Sequence, residues 1–163
     1  MIKPKIVTIG VYGFDEAGFF QALADAKINT FCDIRLRRGM RGSKYAFVNS
    51  ARLQQRLGEL GIRYFHLKEL APSQEVRDKQ KEEDARIGVG KRSREQLVQA
   101  FIETYHKERL SKFDSVRFIE KLGPDAEAVA LFCVERQPEA CHRSLVAGRL
   151  QQDFGLPVEH LQP

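Results

Sequence analysis

An α/β three-layer sandwich, with a mainly parallel sheet covered by helices on both faces, is the fold class this sequence predicts. Three observations lead there. Short runs rich in apolar and β-branched residues recur along the chain, and stretches with helical spacing of apolar residues alternate with them. The clearest run, Ala128 to Val134, is apolar at every position, as a strand buried on both faces of a parallel sheet must be.

Lys5 to Val11 is the first such run, closed by Gly10 and Gly13. Phe14 to Ala26 carries Phe19, Phe20, Leu23 and Ala26 at helical spacing, with Asp15 placed to satisfy the free amides of the first turn. Thr30 to Ile34 reads as a second strand. Asn49 or Ser50 starts a helix through Leu53, Leu57 and Leu60 that Gly61 stops, and Ile62 to Leu67 is a third strand. Glu75 to Arg86 is densely charged and forms an exposed helix or a loose excursion. Ser93 is the expected N-cap of a helix carrying Leu97, Val98, Phe101, Ile102 and Tyr105, and Ser111 to Leu122 is a further amphipathic helix ended by Gly123-Pro124. Cys141 to Phe154 is helical, Gly155 terminates it, and Pro157 to His160 is a short last strand. The 163 residues show no linker or repeat, so one α/β domain over 1–163 is expected, large enough to bury a core without disulfides or metal.

Composition narrows the function classes. At 42% apolar and 30% charged residues, the chain matches an ordinary globular protein. Its apolar runs are too short to cross a bilayer, and Met1 to Val7 has no signal-peptide pattern, so a cytoplasmic protein without membrane partners is expected. Cys32, Cys133 and Cys141 make an odd count without any CxxC pair, which favours reduced thiols. A mononuclear metal site on Cys133, Cys141 and His142 has no common zinc spacing, and no metal or cofactor is expected. Gly88-Val-Gly90-Lys91 fails the phosphate-loop pattern at Ala85 and Arg92, and neither GxGxxG nor GxSxG occurs. The net charge of +5 favours anionic partners. Five basic residues and no acidic one lie between Arg35 and Lys44, predicting a mobile basic loop.

In open α/β sheets, ligands bind beyond the carboxyl ends of the strands. Here those ends carry Gly10 and Tyr12, Asp33 and Arg35, His66, and the turn from Cys133 and Glu135 to Cys141, His142 and Arg143. Pro138 restricts that turn, and Cys141 to Arg143 then occupy the first turn of a helix, where amides and dipole favour an anion. Cys141 is a candidate nucleophile and His142 a candidate proton carrier. Arg35 and Arg143 are candidate anion ligands, oriented by Glu135, with Asp33 a candidate base and His66 and Tyr12 lining the site. Each has a bland alternative: Cys133 and Cys32 as core, Cys141 as a small residue at a helix start, and Arg143 as half of a structural ion pair with Glu135 or Asp33.

Thr8-Ile9-Gly10, Asp33-Ile34-Arg35, Gly61-Ile62-Arg63-Tyr64-Phe65-His66-Leu67-Lys68-Glu69-Leu70 and above all Cys133-x-Glu135-x-x-Pro138-x-x-Cys141-His142-Arg143 give the chain, over nearly its full length, a resemblance to the bacterial and archaeal family called domain of unknown function 488. The resemblance implies an α/β fold and no agreed reaction. Family members often carry proline and serine shortly after the Asp-x-Arg motif, where this chain has Arg37, Arg38 and Gly39. Two functions are consistent with these residues. One is an enzyme acting on a phosphate-bearing or otherwise anionic substrate, a nucleotide or nucleic acid among them. The other is a non-catalytic nucleic-acid-binding module that uses Arg37, Arg38, Arg41 and Lys44 against phosphates. The sequence leaves the oligomeric state open.

Overall fold

The computed structural model describes residues 3–163. A single five-stranded, all-parallel sheet forms its centre, in the order β3-β2-β4-β1-β5. The strands are β1 (Lys5–Ile9), β2 (Thr30–Asp33), β3 (Arg63–His66), β4 (Ala128–Phe132) and β5 (Val158–Leu161). The helices are α1 (Glu16–Asp25), α2 (Ser50–Glu59), α3 (Gln74–Ile87), α4 (Gln99–Glu108), α5 (Ser115–Leu122) and α6 (His142–Phe154). The expected α/β sandwich is therefore the fold, with a sheet that is wholly rather than mainly parallel.

Chain direction explains the layering. From β1 the chain moves outward through α1 to β2 and then through α2 to β3. It returns through α3, α4 and α5 to β4 and continues through α6 to β5. Right-handed crossovers running in opposite directions put their helices on opposite faces. α1 and α2 accordingly share one face, where Phe19 packs on Phe31, Phe47 and Phe132. α6 meets α4 and α5 on the other. β4 is buried throughout, consistent with its unbroken apolar run.

Local signals account for most helix ends. Asp15 caps α1 by accepting from the Gly18 amide, Ser73 caps α3 through the Val76 amide, and Gly88 and Gly155 close α3 and α6 in the left-handed conformation. The charged stretch after Glu75 is a helix, with Val76, Gln80 and Asp84 buried on one stripe. Two expectations need correction. Ser93 caps no helix: its hydroxyl closes a turn with Gly90, and α4 starts at Gln99. The reason is tertiary, because Leu97 donates its amide to Glu139 O (3.0 Å) and Val98 to Gln80 Oε1 (2.8 Å), holding 88–98 out of helix as an irregular strap with a turn at 91–93. Nor does Ser111 begin α5; a short 3-10 turn ends at Lys112, and Asp114 caps the helix through the amides of Val116 and Arg117.

Phe132 on β4 pairs with Ile9 on one side and Asp33 on the other. The chain thus leaves all three strands at one level, through Gly10, Ile34 and Cys133. Crossovers depart from β1 and β4 in opposite directions, so the crevice between these strands is the switch point at which such sheets bind ligands.

Candidate functional site

A cavity of about 340 Å³ opens at that end of the sheet. Its deep wall is Cys133, Glu135, Cys141 and His142, and apolar surface comes from Leu36, Met40, Pro72, Leu97 and Phe101. Six basic side chains line it: Arg35, Arg37, Arg77, Lys81, Lys91 and Arg94, against the single carboxylate of Glu135.

The loop from Cys133 to Cys141 shapes the wall. After β4, the carbonyl of Val134 accepts from the amides of both Val11 and Tyr12 at 3.1 Å. Pro138 opens a 3-10 turn over Pro138–Ala140, and Cys141 follows as the N-cap of α6, its side chain making no cap hydrogen bond. Its thiol is left to face the cavity and its neighbours. Cys141 Sγ lies 3.8 Å from His142 Nδ1. The other imidazole nitrogen, Nε2, lies 3.0 Å from the Ile34 carbonyl. A carbonyl only accepts, so Nε2 carries hydrogen and Nδ1 of the neutral ring presents its lone pair to the thiol. Cys133 Sγ, Cys141 Sγ and His142 Nδ1/Nε2 donor atoms all fall within 4.8 Å of one another. Ligands of a mononuclear metal centre keep such spacing, so these three residues are the ones that could hold a metal among those described.

The surroundings treat the two thiols differently. Burial pushes Cys141 up, but the adjoining Cys133 thiol, His142 and the Arg143 guanidinium together hold it well below the usual thiol range. Cys133 is raised well above it by its hydrogen bond to Cys141, by burial, and by the charges of Cys141 and Glu135. Burial disfavours charge on His142, yet Cys141 and Glu135 raise it overall. Glu135 is raised chiefly by burial and then by the nearby Cys141 thiolate. These surroundings favour the charged forms of Cys141 and His142 and disfavour ionisation of Cys133.

Arg143, expected to meet an anion, is 0% exposed and does not line the cavity. Its Nη1 donates to Glu135 O at 2.6 Å and its Nη2 to Arg136 O at 3.2 Å, fixing the turn. Asp33 is also 0% exposed. Its oxygens accept from Arg35 Nε and Nη2 at 2.8 Å each and from the Tyr64 hydroxyl at 2.7 Å. So engaged, Asp33 aims Arg35, which also donates to Val48 O and lies over the Phe132 ring. Arg35 Nη1 remains buried and unpartnered, as does Glu135 Oε2, and both residues line the cavity. His66 Nε2 contacts the Arg35 carbonyl at 2.8 Å, and Tyr12 packs on Tyr45 beneath Arg92; neither lines the cavity. The basic residues from Arg35 to Lys44 differ in burial. Arg35 is buried and Arg38 half-buried, Arg37 lines the cavity while remaining exposed, and Arg41 and Lys44 are exposed.

The strap and α3 supply groups that sequence reasoning did not place. Arg94 donates twice to Asp84 Oδ2 (2.9 and 2.6 Å) and once to Glu135 Oε1 (3.4 Å), with Lys91 3.9 Å from the same oxygen. Arg77 and Lys81, spaced one helical turn apart, come from α3. That i,i+4 basic pair inside a charged helix, flanking the buried Gln80 and Asp84, was the available signal.

A family model described as "Domain of unknown function DUF488" matches residues 17–150. Neither the curated proteins nor the solved structures contain a match to the chain. No helix among the described residues is long and apolar enough to cross a membrane.

Proposed function

We propose that this chain, which belongs to the DUF488 family, is an enzyme that uses Cys141 as a nucleophile toward an anionic substrate. One observation carries the reading: a thiol held at the N-cap of a 13-residue helix, 3.8 Å from an imidazole nitrogen, stands in a cavity lined by six basic side chains. Helix amides and a neighbouring imidazolium favour a thiolate, which is the reacting form. His142 takes the thiol proton at Nδ1 and returns it to the leaving group. Arg35 Nη1, buried and unpartnered, is the fixed cation for the substrate's anionic group, while Arg77, Lys81 and Lys91 draw the anion to the mouth. Asp33 and Arg143 are positioning residues: Asp33 orients Arg35, and Arg143 holds the Cys133–Cys141 turn.

Iodoacetate and iodoacetamide, one anionic and one neutral, test both halves of this reading. Relative to free cysteine, Cys141 is expected to favour iodoacetate by roughly tenfold or more at low salt, the scale of electrostatic focusing in a charged cleft. Salt should erode that preference. Replacing Arg77 and Lys91 by glutamine should slow iodoacetate more than iodoacetamide. Equal preference in protein and free thiol, or labelling that favours Cys32, would remove the proposal.

The pH profile of iodoacetamide labelling gives a second prediction. Because the Cys133 thiol, His142 and Arg143 lower Cys141 against the effect of burial, its rate should stay high on acidification past the ordinary thiol midpoint of about 8.5. It should fall only as the pH drops through the lowered value. A profile centred on the ordinary midpoint would show that the thiolate is not favoured.

A further inference from the structure

We propose that Cys133 and Cys141 form a dithiol centre that reduces an anionic substrate carrying an electrophilic sulfur, a disulfide being the simplest case. The inference rests on the nucleophilic reading of Cys141 and adds a second reacting thiol and a substrate class.

Four observations support it. The two sulfurs lie within 4.8 Å of one another although one directly follows β4 and the other is the N-cap residue of α6. They are unequal in placement: Cys141 stands at the N-terminus of α6 beside His142, whereas Cys133 follows a strand that is buried throughout. An attacking thiol and a resolving thiol need that asymmetry. Glu135 Oε2 is buried, unpartnered and part of the same wall, available as an acceptor for the proton of the second thiol. Cys32, buried within β2, is absent from the cavity lining, so no third thiol competes.

The steps balance. Cys141 thiolate attacks one sulfur of the bound disulfide, forming a mixed disulfide and releasing the first substrate thiolate, which takes the proton held on His142. Cys133 then gives its proton to Glu135 and attacks Cys141 Sγ. The Cys133–Cys141 disulfide forms, and the second substrate sulfur leaves as a thiolate that recovers the proton from Glu135. The protein dithiol has lost two electrons and two protons, and the substrate disulfide has become two thiols. An external thiol reductant resets the centre.

Oxidised glutathione, an anionic disulfide, is a suitable probe. The reduced full-length chain would be mixed with it, quenched in acid, and read by intact mass and peptide mapping. The expected product is an internal Cys133–Cys141 disulfide with Cys32 still free, formed roughly tenfold or more faster than with neutral hydroxyethyl disulfide at low salt. Cys133→Ser should stop at a glutathionyl adduct on Cys141, and Cys141→Ser should give neither product. A wild-type protein that stops at the mixed disulfide overturns the dithiol while leaving the nucleophile intact. Failure of both glutathione and iodoacetate to modify Cys141 removes both readings. A stoichiometric metal ion in protein purified without chelators, with both thiols protected until it is stripped, would make the triangle a metal centre and overturn the dithiol.

Discussion

Gly10→Ala is expected to destabilise the protein by at least about 3 kcal/mol, at or beyond the upper end of ordinary overpacking. The methyl group would lie 1.8 Å from Glu135 O, 2.8 Å from Glu135 C and 3.0 Å from Arg143 Nη1. Two of these are backbone atoms of the Cys133–Cys141 turn, and the third is a fully buried guanidinium, so no flexible side-chain tip can yield. Glycine is required here for close approach rather than for an unusual φ, since Gly10 is not among the positive-φ residues. Gly58→Ala is the internal control. Nothing lies within 4 Å of its added methyl, and within α2 alanine should add about 0.5–1 kcal/mol of stability. Chemical denaturation of both variants checks the pair. If Gly10→Ala costs under 1 kcal/mol, the contact between β1 and the Cys133–Cys141 turn is looser than described.

The effect should reach the chemistry. Glu135 O is the atom the methyl meets and also the acceptor of the 2.6 Å bond from Arg143. Pushing it away moves the turn that carries Cys141 to its place at the head of α6. Conditions in which Gly10→Ala stays folded should therefore still show slower labelling of Cys141, because the proximity of Sγ to His142 Nδ1 depends on that turn.

What could be read from the sequence follows from how local each cause is. β4 was legible because burial on both faces leaves an apolar residue at every position, and α1 because Asp15 caps it through an amide three residues on. The strand ends were legible as a shared edge, since parallel strands must deliver their carboxyl ends together. Roles at that edge were less so. Asp33 and Arg35 share one strand face, yet only the fold reveals that Tyr64, Val48 and Phe132 close around the pair. Arg143 looks like an anion ligand at a helix start until the carbonyls of Glu135 and Arg136 are seen to occupy its fork. The stretch from Ser93 to Val98 departs from the expected helix for the same reason: it is held by Gln80, Asp84 and Glu139 from other elements, while Leu97, Val98, Phe101, Ile102 and Tyr105 carry helical spacing from its end onward.

Arg143→Met should cost about 2–5 kcal/mol and slow Cys141 labelling at neutral pH. Methionine keeps much of the volume and flexibility of the stem, so the loss is mainly the two donors. Glu135 O and Arg136 O would lose their Arg143 bonds, and a buried acceptor without a donor costs about 1–3 kcal/mol. The guanidinium has no carboxylate partner within salt-bridge distance among the described residues, so no anion is stranded by its removal. Arg143→Lys should be nearly as damaging, because one ammonium on a shorter stem cannot fork across two carbonyls. The electrostatic consequence is separate: with a positive charge gone, one of the influences lowering Cys141 disappears and its thiolate fraction falls. Folded Arg143→Met should accordingly show a labelling midpoint shifted toward higher pH. A variant of unchanged stability and unchanged midpoint would mean that Arg143 neither anchors the turn nor acts on the thiol, leaving His142 and Cys133 to favour the thiolate alone.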